Sequence, residues 1–476
     1  MNTELKRSLD RVFFPASAAI VGVSERMDNP GTLFLRAFKD MGFGGALYPV
    51  NPRHTEILGL RCYPDLASLP GGTDLVILAV PPAAVPSLVR DCAATGVGGC
   101  IINTAGFSET GRAEGQRLEE EILQACRGSG LRLVGPNCMG IYSARGKIAL
   151  FAGMFSTEGR AGMISQSGSL SSITYVTALE RGVLFDKIVS SGNELDLNCA
   201  DYLEYMAADP GTEMVLAYLE EVRDARRFLE TAVSLRGVKP VIVLKAGLTV
   251  SGGKAAASHT SALGGSAEVF EGAARQAGMI MANDLAQMLD CAAALYHLPP
   301  CRGRRVAIVS SPGGLAVNCA DAVERHGLEL APLTVETRAA LAEFLPAEGT
   351  SFGNPVDLGF GAVVPGNYLK ALEIMANDPT VDILMTVGTA PASRDGDIGL
   401  IAAITGEMLE ARNAVSKPLV SVLFPSAFTA PHMARLHAAG IPSYPTPTAA
   451  CFALDAYQGF HAAARARGAW DGGGLP

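Results

Sequence analysis

His259 is the residue in this sequence best suited to covalent chemistry. It stands in Ala255-Ala256-Ala257-Ser258-His259-Thr260-Ser261-Ala262-Leu263, a run of small side chains that can move and admit a phosphoryl group. Imidazole is a competent nucleophile near neutral pH, and its phosphoramidate can pass the group onward. A lone histidine in a loop is more often structural or merely exposed, so the neighbours decide. Met163-Ile164-Ser165 reads as a strand that runs through Gln166-Ser167-Gly168-Ser169 into a helix. Small residues there leave backbone N–H groups bare at the positive end of a helix dipole, although serine is also simply a good N-cap. Residues 306–310, followed by Ser311-Pro312-Gly313-Gly314-Leu315, repeat that logic. Ser167, Gly168, Ser169, Gly313 and Gly314 are therefore the candidate phosphate-binding residues. Two such N-termini facing one phosphohistidine would share its charge, each contributing roughly 0.3–1 kcal/mol.

Two other nucleotide motifs fail on spacing. Gly253-Lys254 lies in a glycine-rich stretch, but a phosphate-binding P-loop needs Gly at 248, where Leu stands, and a hydroxyl at 255, where Ala stands. Ala18-Ala19-Ile20-Val21-Gly22-Val23-Ser24 is a buried strand entering a glycine turn, yet the GxGxxG spacing of dinucleotide sites is missing. The next strand ends in Asn51-Pro52-Arg53, with no carboxylate for a ribose hydroxyl. Arg53 has two readings, a bidentate partner for a ribose phosphate or a surface residue after a turn. Val80-Pro81-Pro82, Asn103-Thr104-Ala105-Gly106-Phe107 and Gly135-Pro136-Asn137-Cys138 would line the same crevice. Glu220 ends the strand 214–219 and should project at the ligand edge, whereas alternation sends Glu221 to the other face.

The elements that must carry these residues are short aliphatic runs, each followed by a Gly- or Pro-rich turn and an amphipathic stretch. Strands are expected at 18–23, 46–50, 75–80, 99–104 and 131–134, then at 162–165, 187–190, 214–219 and 241–245, and finally at 305–310, 383–387 and 419–424. Strands alternating with helices imply parallel βαβ units covered on both faces. The series restarts near 149–162 and 299–303, so the fold class is α/β, with three doubly wound domains at 1–148, 149–299 and 300–476.

Composition narrows the function. A formal net charge of −9 argues against nonspecific nucleic-acid or membrane-surface binding. The ten cysteines show no CxxC pair and no histidine at zinc-finger spacing, which reads as free thiols in a reducing compartment and no metal site. The N-terminal segment lacks the apolar core of a signal peptide, and Pro81 and Pro82 interrupt the apolar stretch before them, so a cytoplasmic protein is expected.

VGVSERMDNPGT, LYPVNPRHTEILGLRCYPDLASLP, DLVILAVPPAAVP, NTAGFSETG and LVGPNCMGI together resemble the CoA-binding domain of acyl-CoA and succinyl-CoA synthetases. ASHTSALGGS resembles the phosphohistidine loop of the same nucleoside-diphosphate-forming family, typically SHTGALAG, with Ser261 in place of Gly and Gly264 in place of Ala. The resemblance covers roughly residues 10–460. It implies a Rossmann-like CoA-binding domain followed by two flavodoxin-like ligase domains. Gly22, Ser24, Asn51, Pro52, Arg53, Val80, Pro81, Asn103 and Asn137 fall where that family grips CoA. His259 would carry the phosphoryl group and Glu220 would orient it, since a carboxylate on one ring nitrogen fixes the tautomer of the other. Asn193, Glu194 and Asp196 match a further family motif near the centre. So does Phe352-Gly353-Asn354-Pro355-Val356-Asp357-Leu358, whose plainer reading is a structural turn.

The implied reaction interconverts acyl-CoA, ADP and phosphate with acid, CoA and ATP through acyl phosphate and phospho-His259. With no P-loop, and no segment left for an ATP-grasp fold, Mg²⁺ and ADP or ATP are expected on a separate ATP-grasp beta subunit. That makes the protein an alpha-type subunit of a hetero-oligomer acting on a small carboxylic acid. A CoA-binding regulatory or scaffold subunit is the alternative. An NAD(P)-dependent oxidoreductase is disfavoured by the absent fingerprint.

Overall fold

Aliphatic runs with no polar face cannot sit at a solvated sheet surface, and here they form the central strands of parallel sheets. The computed structural model describes residues 3–254, 266–311, 313–388 and 398–468. The chain divides into two compact units, Met1–Val176 with Leu184–Asn283, and Thr177–Val183 with Asp284–Pro476.

The first unit holds two sheets. Its N-terminal part contains β1 (Ser17–Val21), β2 (Ala46–Val50), the two-residue strands β3 (Glu56–Ile57) and β4 (Leu60–Arg61), β5 (Leu75–Leu78), β6 (Gly99–Ile102) and β7 (Arg132–Val134). These build a parallel sheet in the order β2-β1-β5-β6-β7, with β3 and β4 paired as a separate hairpin. Every residue of β5 and β6 is buried, as two helical layers over a parallel sheet require.

The second sheet contains β8 (Gly140–Ser143), β9 (Ala161–Ser165), β10 (Phe185–Ser190), β11 (Met214–Leu219), β12 (Val241–Lys245) and β13 (Ile280–Ala282), ordered β13-β12-β11-β9-β10-β8. Its neighbours run parallel except β8, which lies antiparallel on β10 with Ser143 opposite Lys187. The sequence division at 148 assigned Gly140–Ser143 to the first domain. Its pairing makes it part of the second sheet.

The third sheet lies in the second unit. It is built from β14 (Arg305–Ser310), β15 (Glu329–Leu330), β16 (Val356–Asp357), β17 (Ile383–Gly388), β18 (Leu419–Leu423) and β19 (Ser443–Tyr444) in the order β15-β14-β17-β18-β19, with β16 beside β14. The helix Leu285–His297, placed by sequence in the second domain, belongs to this unit. Its Ala294 shares a core with Val306, Ile308 and Tyr457. Asn354 fastens this sheet: its side chain accepts from Ile308 N at 2.9 Å and donates to Val306 O at 2.7 Å. The plainer reading of that motif, a structural turn, is what its geometry performs.

Candidate functional site

A cavity of about 400 Å³ opens at the carboxyl ends of β1, β2 and β5, where an open α/β sheet presents its ligand crevice. Gly22, Asn51, Pro52, Arg53 and Val80 line it together with Asp65 and Asp91. Gly22 has φ +95°, and a Cβ there would lie 2.2 Å from Ala79 O, so only glycine lets the β1 turn pass beneath the β5 end. Asn51 shapes the rim by donating from Nδ2 to Val23 O at 2.6 Å and accepting Arg53 N at 2.8 Å. The turn leaves Arg53 exposed over the cavity, where its guanidinium makes no ion pair among the described residues. Ser24 and Pro81 flank the site without lining it. Ser24 joins the following turn by donating from its N–H to Thr32 Oγ1 at 3.0 Å, while Pro81 leads into a short 3₁₀ turn.

Asn103 and Asn137 lie further along the same sheet edge and do not line this cavity. Asn103 Nδ2 donates to Cys138 O at 2.7 Å, and Asn137, at φ 56°, reaches Asn193 Oδ1 at 3.2 Å. Asn193 Nδ2 in turn donates to Glu109 Oε2 at 2.7 Å and Glu119 Oε1 at 3.1 Å. Asp196 forms a two-pronged pair with Arg132, at 2.8 and 2.9 Å. The 193–196 motif thereby ties the second sheet to the edge of the first.

At the carboxyl end of β9, Ser165 Oγ donates to Ser167 O at 2.7 Å and accepts Ser167 N at 3.2 Å, tightening the turn into the helix Gly168–Glu180. Ser167 Oγ accepts Leu170 N at 3.4 Å and lies 3.3 Å from Ser169 Oγ. The first N–H groups of a helix have no partner within it, so this end offers donors to an anion. A Cβ on Gly168 would sit 2.7 Å from Met139 Cγ, so the turn packs closely against the strand that follows Cys138.

Gln166 clamps this turn to the end of β11. Its Oε1 accepts Glu220 N at 2.5 Å and Glu221 N at 2.9 Å, and its Nε2 donates to Glu221 O at 2.8 Å. Sequence reasoning passed over Gln166; the signal was a polar residue with a long reach between a buried strand and an N-cap serine. Glu220 is buried, accepts Tyr218 OH at 3.2 Å, and its carbonyl receives Lys245 Nζ at 2.9 Å. Burial, then the Glu220 charge, pushes the Tyr218 hydroxyl up to about 12. A second cavity, of about 310 Å³, opens beside Glu220, Lys245, Phe228 and Phe270. His259, with Ser261 and Gly264, lies outside the described residues.

Glu194 is wholly buried next to this turn. Burial raises its carboxyl to about 7, against the opposing pull of the Ser191 hydrogen bond and the nearby Gln166 amide. In the second unit, Gly313 opens the helix Gly313–Arg325, where a Cβ would meet Asp357 Oδ2 at 2.7 Å, while Gly314 faces open space. That helix mouth therefore already faces a carboxylate. The ten thiols are free, and all but Cys126 are buried. None of the described helices is long and apolar enough to cross a membrane.

Three family models match in series: a CoA binding domain over 16–144, a succinyl-CoA ligase like flavodoxin domain over 158–295 and a Ligase-CoA domain over 306–467. The chain belongs to the ADP-forming acyl-CoA synthetase family, with the α/β domains of its alpha-subunit type. It is 35% identical to the acetate–CoA ligase [ADP-forming] II subunit alpha of Pyrococcus furiosus, over 94% of this chain and 97% of that one. It is 38% identical, over 81% of its own length, to the acetate–CoA ligase [ADP-forming] I of Archaeoglobus fulgidus, of which it spans only 56%. Among solved structures it resembles the "dinucleotide forming" acetyl-coenzyme A synthetase 1 of Ca. Korarchaeum cryptofilum in complex with phosphate and ADP. That match has a TM-score of 0.86 at 32% identity, covering 96% of this chain and 97% of that one.

Proposed function

We propose that this chain is the CoA-binding alpha subunit of an ADP-forming acyl-CoA synthetase and that it relays phosphate through His259. The observation that carries the reading is the clamp of Gln166 between the Ser165–Ser169 turn and the Glu220 strand end, which sets an anion-binding helix terminus beside a buried carboxylate. Support also comes from the relatives that match along their whole length and are named alpha subunits. The CoA nucleotide lies in the cleft of Gly22, Asn51, Pro52, Arg53 and Val80, with Arg53 on its phosphate. The helix terminus at Ser167–Ser169 holds inorganic phosphate while one of its oxygens forms a bond to the thioester carbonyl and the CoA sulfur leaves as thiolate. His259 then bonds to phosphorus as the carboxylate departs, and Glu220 holds the ring. Asn103 and Asn137, further along the edge of the first sheet, extend the CoA-facing surface.

Mg²⁺ and ADP, bound on an ATP-grasp beta subunit, supply the acceptor for the phosphoryl group. The protein is thus a hetero-oligomeric, cytoplasmic enzyme whose work is positioning and charge stabilisation. Reconstitution tests it. This chain, an ATP-grasp partner, Mg²⁺–ADP, phosphate and a panel of aliphatic and aromatic acyl-CoA esters should yield thiol and ATP together. ATP formed by this chain alone would overturn the two-subunit arrangement. Absence of thiol release across the panel would overturn the activity.

A further inference from the structure

Glu194 sits at φ 53°, a left-handed conformation uncommon for a residue with a Cβ, and it is held there from several sides. Arg223 Nη1 donates to its carbonyl at 3.0 Å, and Leu195 N, next in the chain, donates to Gly135 O at 2.9 Å. The conformation turns the side chain inward, where it is 2% exposed. One carboxyl oxygen accepts Ser191 Oγ at 2.7 Å, and Ser191 is itself bonded through N and Oγ to Ser165 O, at 2.8 and 3.4 Å. The other oxygen is buried without a well-formed hydrogen bond among the described residues, although the Gln166 amide and the Cys199 N–H lie near enough to favour its ionised form. The groups of charge or titration that face it are Arg223, from the segment after β11, and Cys199 and Tyr202 from the helix Cys199–Ala208. A buried carboxyl with so few donors holds its proton more tightly than an exposed one. Gln166 can lend only its Nε2 to this group, because its Oε1 is spent on Glu220 N and Glu221 N.

We propose that Glu194 is a positioning residue of the phosphate turn, setting Ser165 through Ser191, and that it does so as the neutral acid. The inference rests on the proposed function of that turn. Ionising Glu194 would place a buried negative charge beside a site that must accept a phosphate, and would draw the Gln166 amide toward it. Both effects oppose phosphorylation.

The test uses the full complex of this chain with its partner subunit and follows incorporation of labelled inorganic phosphate, in the presence of acyl-CoA, between pH 5.5 and 8.5. The wild-type rate should fall as pH rises, by about tenfold between the acid plateau and pH 8 for a group titrating near 7. In Glu194→Gln that break should vanish whatever the height of the remaining plateau. Ser191→Ala removes a hydrogen bond that favours the ionised carboxyl, so its break should move to higher pH. Identical profiles in wild type and Glu194→Gln, or an unmoved break in Ser191→Ala, would overturn the positioning role. A wild-type complex that takes up no phosphate at any pH would instead overturn the reading of the site on which the role depends.

Discussion

Arg53→Ala should weaken CoA binding by a modest factor that disappears when the ligand lacks its ribose phosphate. The structure sets the size. A guanidinium bonded through both nitrogens to a phosphate is worth about 1.5–3 kcal/mol when desolvated, whereas fully exposed ion pairs contribute about 0.2–1 kcal/mol. Arg53 is exposed on the rim of the cleft, so solvent screens it. Its guanidinium has no ion pair to surrender among the described residues, and a phosphate carries up to two charges. These considerations favour about 1 kcal/mol, a loss of roughly five- to tenfold. Titration calorimetry with CoA and 3′-dephospho-CoA, on wild type and Arg53→Ala, isolates the contact. The wild type should prefer CoA by that factor, and the variant should bind both ligands alike. The preference should shrink between 0.1 and 1 M salt, as the screening length falls from about 10 to about 3 Å. Equal losses for both ligands would remove Arg53 from the phosphate, and a hundredfold selective loss would contradict the exposed geometry.

Lys187 is fully buried on β10, bonded to Asp186, Asp209 and Thr212, with Arg145 bridging the same two carboxylates. Lys187→Met leaves two acids to one guanidinium and should cost about 3 kcal/mol, read from amide exchange along β10. Adding Asp209→Asn should recover part of that loss, and a further loss would contradict the account. Glu220→Gln should keep the fold and slow phosphate incorporation by roughly 10²–10⁴-fold, with CoA affinity unchanged. The raised carboxyl of Glu194 makes a stability prediction independent of activity. Its contribution is complete below the ordinary carboxylate range and is lost as pH rises through about 7, by about 3 kcal/mol. Denaturation of the first unit in Glu194→Gln should lack that slope.

Strands with no polar face were legible because burial on both sides demands them, and β2, β11, β12 and β14 end at residues that β-branched runs and turn signals mark. The strand β8 was missed because Gly-Ile-Tyr-Ser follows a Gly-Pro turn and reads as the close of one domain, while its partner β10 lies over forty residues on. The burial of Lys187 was equally hidden, since a lysine in a strand is normally a solvated face. Only the approach of Asp186, Asp209 and Arg145 in space makes it tolerable. In the site, the residues set by local turn chemistry, Gly22, Asn51 and Ser167, could be read from their type and spacing. Gln166 could not, because its role arises from contacts 54 and 55 residues away in sequence, and Glu194 was marked by resemblance alone. The helix Leu285–His297 follows the second sheet in sequence and shares a core with the third.

The relay itself is tested most directly on His259. In the complex with its partner, given either Mg²⁺–ATP or acyl-CoA with labelled phosphate, the chain should acquire one phosphate on His259. The linkage should be acid-labile and base-stable, as a phosphoramidate is and an acyl phosphate on Glu220 is not. His259→Ala should lose the label and net turnover together while keeping CoA affinity, because the cleft of Gly22 and Arg53 lies on the first sheet. Turnover that persists in His259→Ala would contradict the relay and leave a CoA-binding scaffold as the better account of this chain.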